Sequence, residues 1–493
     1  MVQYFEIVII GAGPAGLTAA IRLLEMGHSV ALIEQEAFPR PQIGESLSPG
    51  VRPIFAYIGA GYLLDDPGYL HNLPAAIAWD GGEPTLLEAG QRGAGLMVDR
   101  AHLDAQMLAF AVSKGLHVFQ PAKMVATSFQ NDQCELKIQS AAGDFHITSR
   151  IVLDARGRKG AHTRGCMQLA PASVALWTHV PANATPRTFR PDAARIETVD
   201  EGWIWGAPVP GNEYRIMAFT DPESLKGQSP AQVMQQMVSK SRLFHFAAMD
   251  SLHFEIQTCL VNAYVHTQPW EQYFIKIGEA AFTLDPLSST GVEVAMRFSL
   301  QTAIAVHTML IDGDEAVAKA FYENKLAEAV TSHQRWTSEY YAQSGKASAN
   351  FPFWEKRRSF HADALPVINA FTEQIKQRLT RESPTHQAKE PAAIPIDPLI
   401  RFLWDKPVRL SAELAFSSEF AVTGDRVEIR RALVHPNLSR PMVYINHIEI
   451  PPLLNALGEE ATYGTAIETW CRQLPLADVK KVLGFLWGAE IVQ

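Results

Sequence analysis

The sequence predicts an α/β protein: a doubly wound, Rossmann-like domain interrupted by a mostly β domain, then a small α+β, winged-helix-like unit. Three observations predict it. A strand, a glycine turn, a helix and a second strand open the chain. Alternating β patterning takes over from about Val174 to Leu260, after which a strand and a long helix return. A proline-rich polar stretch at 381–398 then separates a final segment with its own short strands and helices.

The opening unit is the most explicit. Glu6–Ile10 is a short apolar run ended by glycine and reads as a buried parallel strand. Pro14–Met26 carries helical spacing through Leu17, Ala20, Ile21 and Leu24, and Gly27 stops it. Val30–Glu34 is the next strand. The intervening Gly11–Ala12–Gly13–Pro14–Ala15–Gly16 fits G-x-G-x-x-G. Gly11 permits a tight turn, Gly13 lets backbone approach a pyrophosphate, and Gly16 lets helix and strand pack closely. Glu34 stands about 20 residues on, where a carboxylate accepts hydrogen bonds from an adenosine ribose.

Further elements follow. Arg100–Lys114 is an amphipathic helix, and Arg150–Leu153 a strand entering a glycine turn. Trp203–Trp205 and Tyr214–Phe219 lie in the β-rich region, Tyr273–Ile277 is a strand, and Gly291–Leu310 a long helix. Past the linker, Val427–Leu433 is a strand, and Tyr463–Arg472 and Leu476–Trp487 are helices. Gly488 caps the last helix, and Ala489–Val492 is a final strand. The resulting organisation assigns 1–65, 95–170 and 271–380 to a cofactor domain and 66–94 and 171–270 to a substrate domain. It leaves 381–398 as linker and 399–493 as a recognition or lid domain.

Composition narrows the class. The chain has 493 residues, 47% of them hydrophobic, and a net charge of -9, which argues against nucleic acid as a partner. Cys134, Cys166, Cys259 and Cys471 lie far apart without a Cys-x-x-Cys pair, so neither a zinc site nor a disulfide framework is expected. With no basic leader and no apolar run of transmembrane length, a cytoplasmic protein without a membrane partner is expected.

Three later segments carry a family resemblance. Leu153–Asp154–Ala155–Arg156–Gly157–Arg158 resembles the Asp-Gly-type turn of flavoprotein monooxygenases. Gly278–Glu279–Ala280–Ala281 with Asp285–Pro286–Leu287–Ser288–Ser289–Thr290–Gly291 resembles their second flavin fingerprint, with Glu279 in place of the usual aspartate. Arg100, in Val98–Asp99–Arg100–Ala101, matches the family arginine near the pyrophosphate. The resemblance implies bound FAD, held by Gly11–Gly16, Glu34, Glu45, Ser46, Arg100, Asp154, Glu279, Asp285, Pro286, Thr290, Gly291 and Val292. It also implies O2 as co-substrate and NAD(P)H as electron source, directly or through a flavin reductase.

Ile43–Gly44–Glu45–Ser46–Leu47 is similar to the segment after the second strand in flavin-dependent halogenases. Gly202–Trp203–Ile204–Trp205–Gly206–Ala207–Pro208 is similar to their G-W-x-W-x-I-P signature, with Ala207 replacing isoleucine. Trp203, Trp205, Pro208 and Ser289 are the implied substrate-pocket residues, although two indoles on one strand also suit a buried core. Halogenases need a lysine between flavin and substrate. In His71–Asn72–Leu73–Pro74–Ala75–Ala76–Ile77–Ala78–Trp79 that position holds Asn72, and the first lysine of the chain is Lys114. Oxygen transfer by a monooxygenase is therefore expected over halogenation, with Glu45, His71 and Asn72 as candidate catalytic residues and no metal. Core, missing lysine and C-terminal unit together resemble the flavoprotein monooxygenases of tryptophylquinone biogenesis, which hydroxylate a tryptophan side chain within a protein. Three alternatives stand beside this: a halogenase-like enzyme, a hydroxylase of a small or carrier-tethered aromatic, and a flavoprotein dehydrogenase or assembly factor for a partner enzyme.

Overall fold

The structure, a computed structural model, describes residues 3–79, 81–89, 95–130, 132–160, 165–182, 190, 192–244, 255–344, 351–380, 397–458 and 460–493. Most of the expected linker, 381–396, lies outside the described residues. The chain divides into two compact units: Met1–Leu310 with Tyr322–Thr380, and Ile311–Phe321 with Arg381–Gln493.

The first unit is built on two large sheets. In one, β1 (Gln3–Ile10) lies between β2 (Val30–Ile33) and the strand Gly143–Asp154, parallel to both. β2 continues to His117–Phe119, while Gly143–Asp154 continues to Phe274–Lys276. The chain thus works outwards on one side of β1 and returns on the other, which makes the end of β1 a topological switch point where ligands bind in open α/β sheets. Helix α1 (Pro14–Glu25) leaves from that point, its face from Ala15 to Leu23 buried. The C-terminal ends of these strands and the bounds of α1 fall within a residue of those read from the sequence. β1, however, begins at Gln3 instead of Glu6, and the strand expected at Arg150–Leu153 begins at Gly143.

The second sheet has seven strands in the order Gln257–Val261, Ser173–Pro181, Glu213–Thr220, Gly202–Val209, Ala194–Val199, Ala75–Ala78 and Thr85–Leu87. Alternation divides its side chains. Ile204, Tyr214, Ile216 and Ala218 pack with Met234 and Met237 of the helix Pro230–Ser239. Trp203, Phe219 and Ala175 face the other way, into an aromatic cluster with Tyr341, Phe353 and Trp354. Trp354 is fully buried and donates its indole N–H to the Val199 carbonyl at 2.9 Å.

A three-stranded miniature sheet matters more than its size suggests. Leu96–Met97 pairs with Ser46–Leu47 on one side and Leu70–His71 on the other. It therefore brings together two segments far apart in sequence, the Gly-Glu-Ser loop and the His71–Asn72 turn. The helix Gly291–Asp312 is long and apolar enough to cross a membrane, but most of that apolar stretch is buried inside the protein.

The second unit holds two short hairpins, Ala415–Thr423 with Arg426–Val434 and Tyr444–Ile445 with Ile448–Glu449. Its helices Ile450–Asn455, Tyr463–Cys471 and Leu476–Gly488 close over a core of Trp470, Val479, Val482, Leu483 and Leu486. Two details of the sequence reading are corrected here. The last helix runs through Gly488 and is capped at Ala489, with the left-handed residue at Glu490 (φ 58°). No strand forms over Ala489–Val492, because the chain turns back at Glu490 so that Ile491 and Val492 donate to the Leu486 carbonyl. Only Val492 then reaches a bridging position, opposite Leu410.

Leu483 is completely buried in this core. Leu483→Ala is expected to destabilise the second unit by about 2–5 kcal/mol, read as a lowered denaturant midpoint in equilibrium unfolding; a shift below about 0.5 kcal/mol would contradict the packing.

Candidate functional site

The glycine turn leaves β1 with Gly11 at φ 106°, a conformation that favours glycine. A Cβ there would also lie 2.5 Å from the Ala155 carbonyl oxygen, at the end of the neighbouring strand. At Gly16 a Cβ would lie 2.1 Å from the Gly11 carbonyl oxygen, so strand and helix approach to backbone contact. Gly13 is different: a Cβ would meet nothing within 4 Å. Gly13 is also the N-cap of α1, with Pro14 in the first turn and no capping side chain. The first N–H groups of the helix are thus presented to open space with the positive end of its dipole. Glu34 is buried beside them, accepting the Ala12 N–H at 2.7 Å and the Glu36 N–H at 2.9 Å. This cradle suits the pyrophosphate and ribose of a dinucleotide.

Around it stand the other expected cofactor residues. Arg100 is buried and bound twice by Asp104, at 3.0 and 3.1 Å, and its Nη1 donates to the carbonyls of Ile43 and Gly44. It thereby clamps the segment leading to Glu45 and Ser46. Asp154 is fully buried under a two-bonded Arg156, each bond 2.8 Å, with Lys276 3.6 Å away. Burial alone would raise its pKa; the hydrogen bonds and charge of Arg156, with Lys276, outweigh that and hold it below the usual carboxylate value. Glu279 is exposed and pairs with Arg158 at 3.5 Å.

Asp285 is buried and caps the turn over Pro286–Ser288 by accepting the Leu287 N–H. Its carboxyl group also takes the Tyr341 hydroxyl, at 3.0 and 3.2 Å. Burial pushes the Asp285 pKa up, against these bonds and the nearby His333 and Arg357. Ser289 then takes φ 53°, Ser288 Oγ receives the Thr290 N–H, and the long helix begins at Gly291–Val292. A second helix N-terminus is thus presented by a strained turn.

The front of the seven-stranded sheet lies towards these loops, with Leu287 packed in the aromatic cluster. Trp203 is buried, stacked on Phe219 at 3.8 Å between ring centres, and forms a wall of the cluster. Trp205 is half-buried on the same face, whereas Pro208 lies on the opposite face with Ile204. The candidate catalytic residues separate. His71 is exposed and meets Arg52 at 3.2 Å, and Asn72 is an exposed turn residue at φ 54°, a region asparagine tolerates. Glu45 turns inwards and forms an ion pair with Arg215 at 2.7 Å.

Arg215 is the residue of this candidate site missed in the sequence. It is buried on Glu213–Thr220, donates to His179 Nε2 from Nε at 2.9 Å, and lies 4.6 Å over the Trp177 ring. A charge at an inward position of an otherwise apolar alternating strand was the available signal.

Comparison with known proteins gives the family and the fold. The family model for tryptophan halogenases matches residues 6–71 and 88–390. The tryptophan 2-halogenase of Chondromyces crocatus is 28% identical over 335 residues, spanning 64% of this chain and 64% of that protein. Among solved structures, the peptidyl tryptophan dihydroxylase QhpG, essential for tryptophylquinone cofactor biogenesis, superposes with a TM-score of 0.70. It covers 99% of each chain at 18% identity. The flavin-dependent halogenase CmlS gives 0.69 over 100% of this chain and 96% of its own, at 20% identity. Fold alone therefore does not separate hydroxylation from halogenation.

The cradle and two half-buried imidazoles lead to two predictions. Gly13→Ala is expected to cost about 1 kcal/mol or less in apoprotein stability while weakening FAD binding about tenfold or more, since the added carbon occupies only ligand space. Gly11→Ala should instead lower stability by about 2 kcal/mol or more; fluorescence titration and thermal melts of both variants check the contrast. Burial, and next the Arg215 charge, lower the His179 pKa below its ordinary 6.5, and burial lowers that of His333 despite Asp285. As pH falls below about 6.5 the unfolded chain takes up protons first, so native stability should decline there and recover at higher pH. Thermal melts from about pH 7.5 to about pH 5 should show a smaller decline in His179→Gln.

The match over most of the chain, with the dinucleotide cradle at its head, places this protein in the tryptophan halogenase family of FAD-dependent oxidoreductases.

Proposed function

We propose that this protein is an FAD-dependent monooxygenase that hydroxylates an aromatic ring, the indole of a tryptophan residue in a protein or peptide, during tryptophylquinone cofactor biogenesis. The observation that carries the reading is at Asn72. The position where halogenases hold their lysine is an exposed, left-handed turn occupied by asparagine. The cation found on the sheet face is instead Arg215, tied to Glu45 and His179. A guanidinium stays protonated and is a poor nucleophile, so it cannot take over the trapping of an electrophilic halogen that an amine performs. Likeness to the peptidyl tryptophan dihydroxylase over 99% of both chains supports the choice of substrate class.

In this reading residues 1–65, 95–170 and 271–380 hold FAD through the cradle of Gly11–Gly16 and Glu34. Residues 66–94 and 171–270 supply the substrate face, and 399–493 serves recognition or acts as a lid. When bound, reduced FAD supplies the activation of O2 for oxygen transfer. Electrons come from NAD(P)H, directly or through a reductase. The chain's own contribution is placement: Trp177, Trp205 and Met217 offer apolar walls to an indole, and Asp285 with Tyr341 fixes the turn whose Leu287 packs in the cluster with Trp205 and Met217. Action in the cytoplasm accords with its four free cysteines.

Purified protein supplied with reduced flavin, O2 and a tryptophan-bearing partner polypeptide should add the mass of one or two oxygen atoms to that polypeptide. Intact-mass spectrometry in the presence of chloride and bromide decides between the readings, because halogen addition in place of oxygen would establish the halogenase alternative.

A further inference from the structure

Arg215 is a buried cation with one edge unused. Its Nε and Nη2 meet His179 Nε2 at 2.9 and 2.6 Å, and Nη2 also meets Glu45 Oε1 at 2.7 Å. Nη1, on the other edge of the planar group, is shielded from solvent and has no hydrogen-bond partner among the described residues. A buried donor left so carries a desolvation penalty that an incoming acceptor removes.

His179 offers a second donor beside it. A guanidinium has no acceptor, so His179 Nε2 must accept, and the ring proton sits on Nδ1. That Nδ1–H has no hydrogen-bond partner among the described residues. Both groups share the sheet face with Trp177, Trp205 and Met217: Arg215 stands opposite His179 and Ala207 in register, and Met217 opposite Trp177 and Trp205. One buried, unsatisfied donor, with a second that only solvent serves, beside an aromatic-lined face calls for an oxygen acceptor attached to an aromatic ligand.

Charge says which acceptor. The guanidinium is already opposed by the Glu45 carboxylate, so an anionic ligand would leave a net negative charge in a dry site, whereas a neutral carbonyl would not. We propose that Arg215, held by Glu45 and His179, is a specificity-determining residue that binds a neutral amide carbonyl next to the reacting ring. Tryptophan within a peptide is thereby taken in preference to the free amino acid, with its carboxylate, or to bare indole. This rests on the indole reading above and deepens it.

The test is calorimetric titration of the oxidised, FAD-loaded, full-length protein with N-acetyltryptophanamide, N-acetyltryptophan and 3-methylindole. The wild type should bind the amide about tenfold to a hundredfold more tightly than the other two, the range for a hydrogen bond to a charged group. Arg215→Lys keeps a cation opposite Glu45 but loses the fork, and should bring the amide within about threefold of 3-methylindole. The double variant Arg215→Met/Glu45→Gln removes both charges together, guarding against a fold lost to one unpaired charge, and should do the same. Equal binding of all three ligands by the wild type, or tightest binding of N-acetyltryptophan, would overturn the proposal while leaving the indole reading intact. So would an amide preference that survives in either folded variant. Binding of none of the three by the wild type would overturn the indole reading and this proposal with it.

Discussion

The Ala155 carbonyl oxygen occupies the place a side chain on Gly11 would need, and the glycine turn is arranged around that contact. Because β1 and Gly143–Asp154 run parallel with Ile10 opposite Asp154, both strands end together and their turns press against one another. Gly16 lets α1 close the same gap from its own side. The direction that Gly13 faces is left open, and the helix dipole and its first N–H groups point into it. Crowding at Gly11 and at Gly16 thus defines the cradle as much as any polar group does.

What was legible in the sequence is what neighbouring residues decide. The β1–turn–α1–β2 unit could be read because a buried parallel strand, a glycine fingerprint and a helical period occupy adjacent stretches of chain. The β-rich middle was legible from its alternation, and the aromatic cluster in part from Trp203 and Trp205. The pairing of Glu45 with Arg215 was not, since nothing local to either residue announces a partner on another sheet. The same limit applies to His71 and Asn72, which the sequence set beside Glu45 as candidates. The miniature sheet does bring their segments together, yet their side chains are exposed while that of Glu45 turns inwards. Ala489–Val492 failed as a strand for a simpler reason: its apolar pattern is satisfied by folding back on the last turn of a helix, without a neighbouring strand.

Electrostatics on the two sides of the site are managed differently. Asp154 is ringed by Arg156 and Lys276, which keep it ionised despite complete burial. Asp285 has a phenol and a backbone N–H for partners, and burial prevails. Two carboxyl groups of the first unit are therefore shifted in opposite directions, Asp154 down by its cations and Asp285 up by burial.

The second compact unit is not contiguous in sequence. It takes Ile311–Phe321 from the middle of the chain, where Asp312 pairs with Arg426 at 2.9 Å and Phe321 meets Phe420 at 6.0 Å between ring centres. A gene fusion or exchange made at the linker would carry away the hairpins and helices but leave that segment behind, with a phenylalanine stripped of its cover. Exchange of the C-terminal unit therefore has to include Ile311–Phe321 as well as the residues after 381.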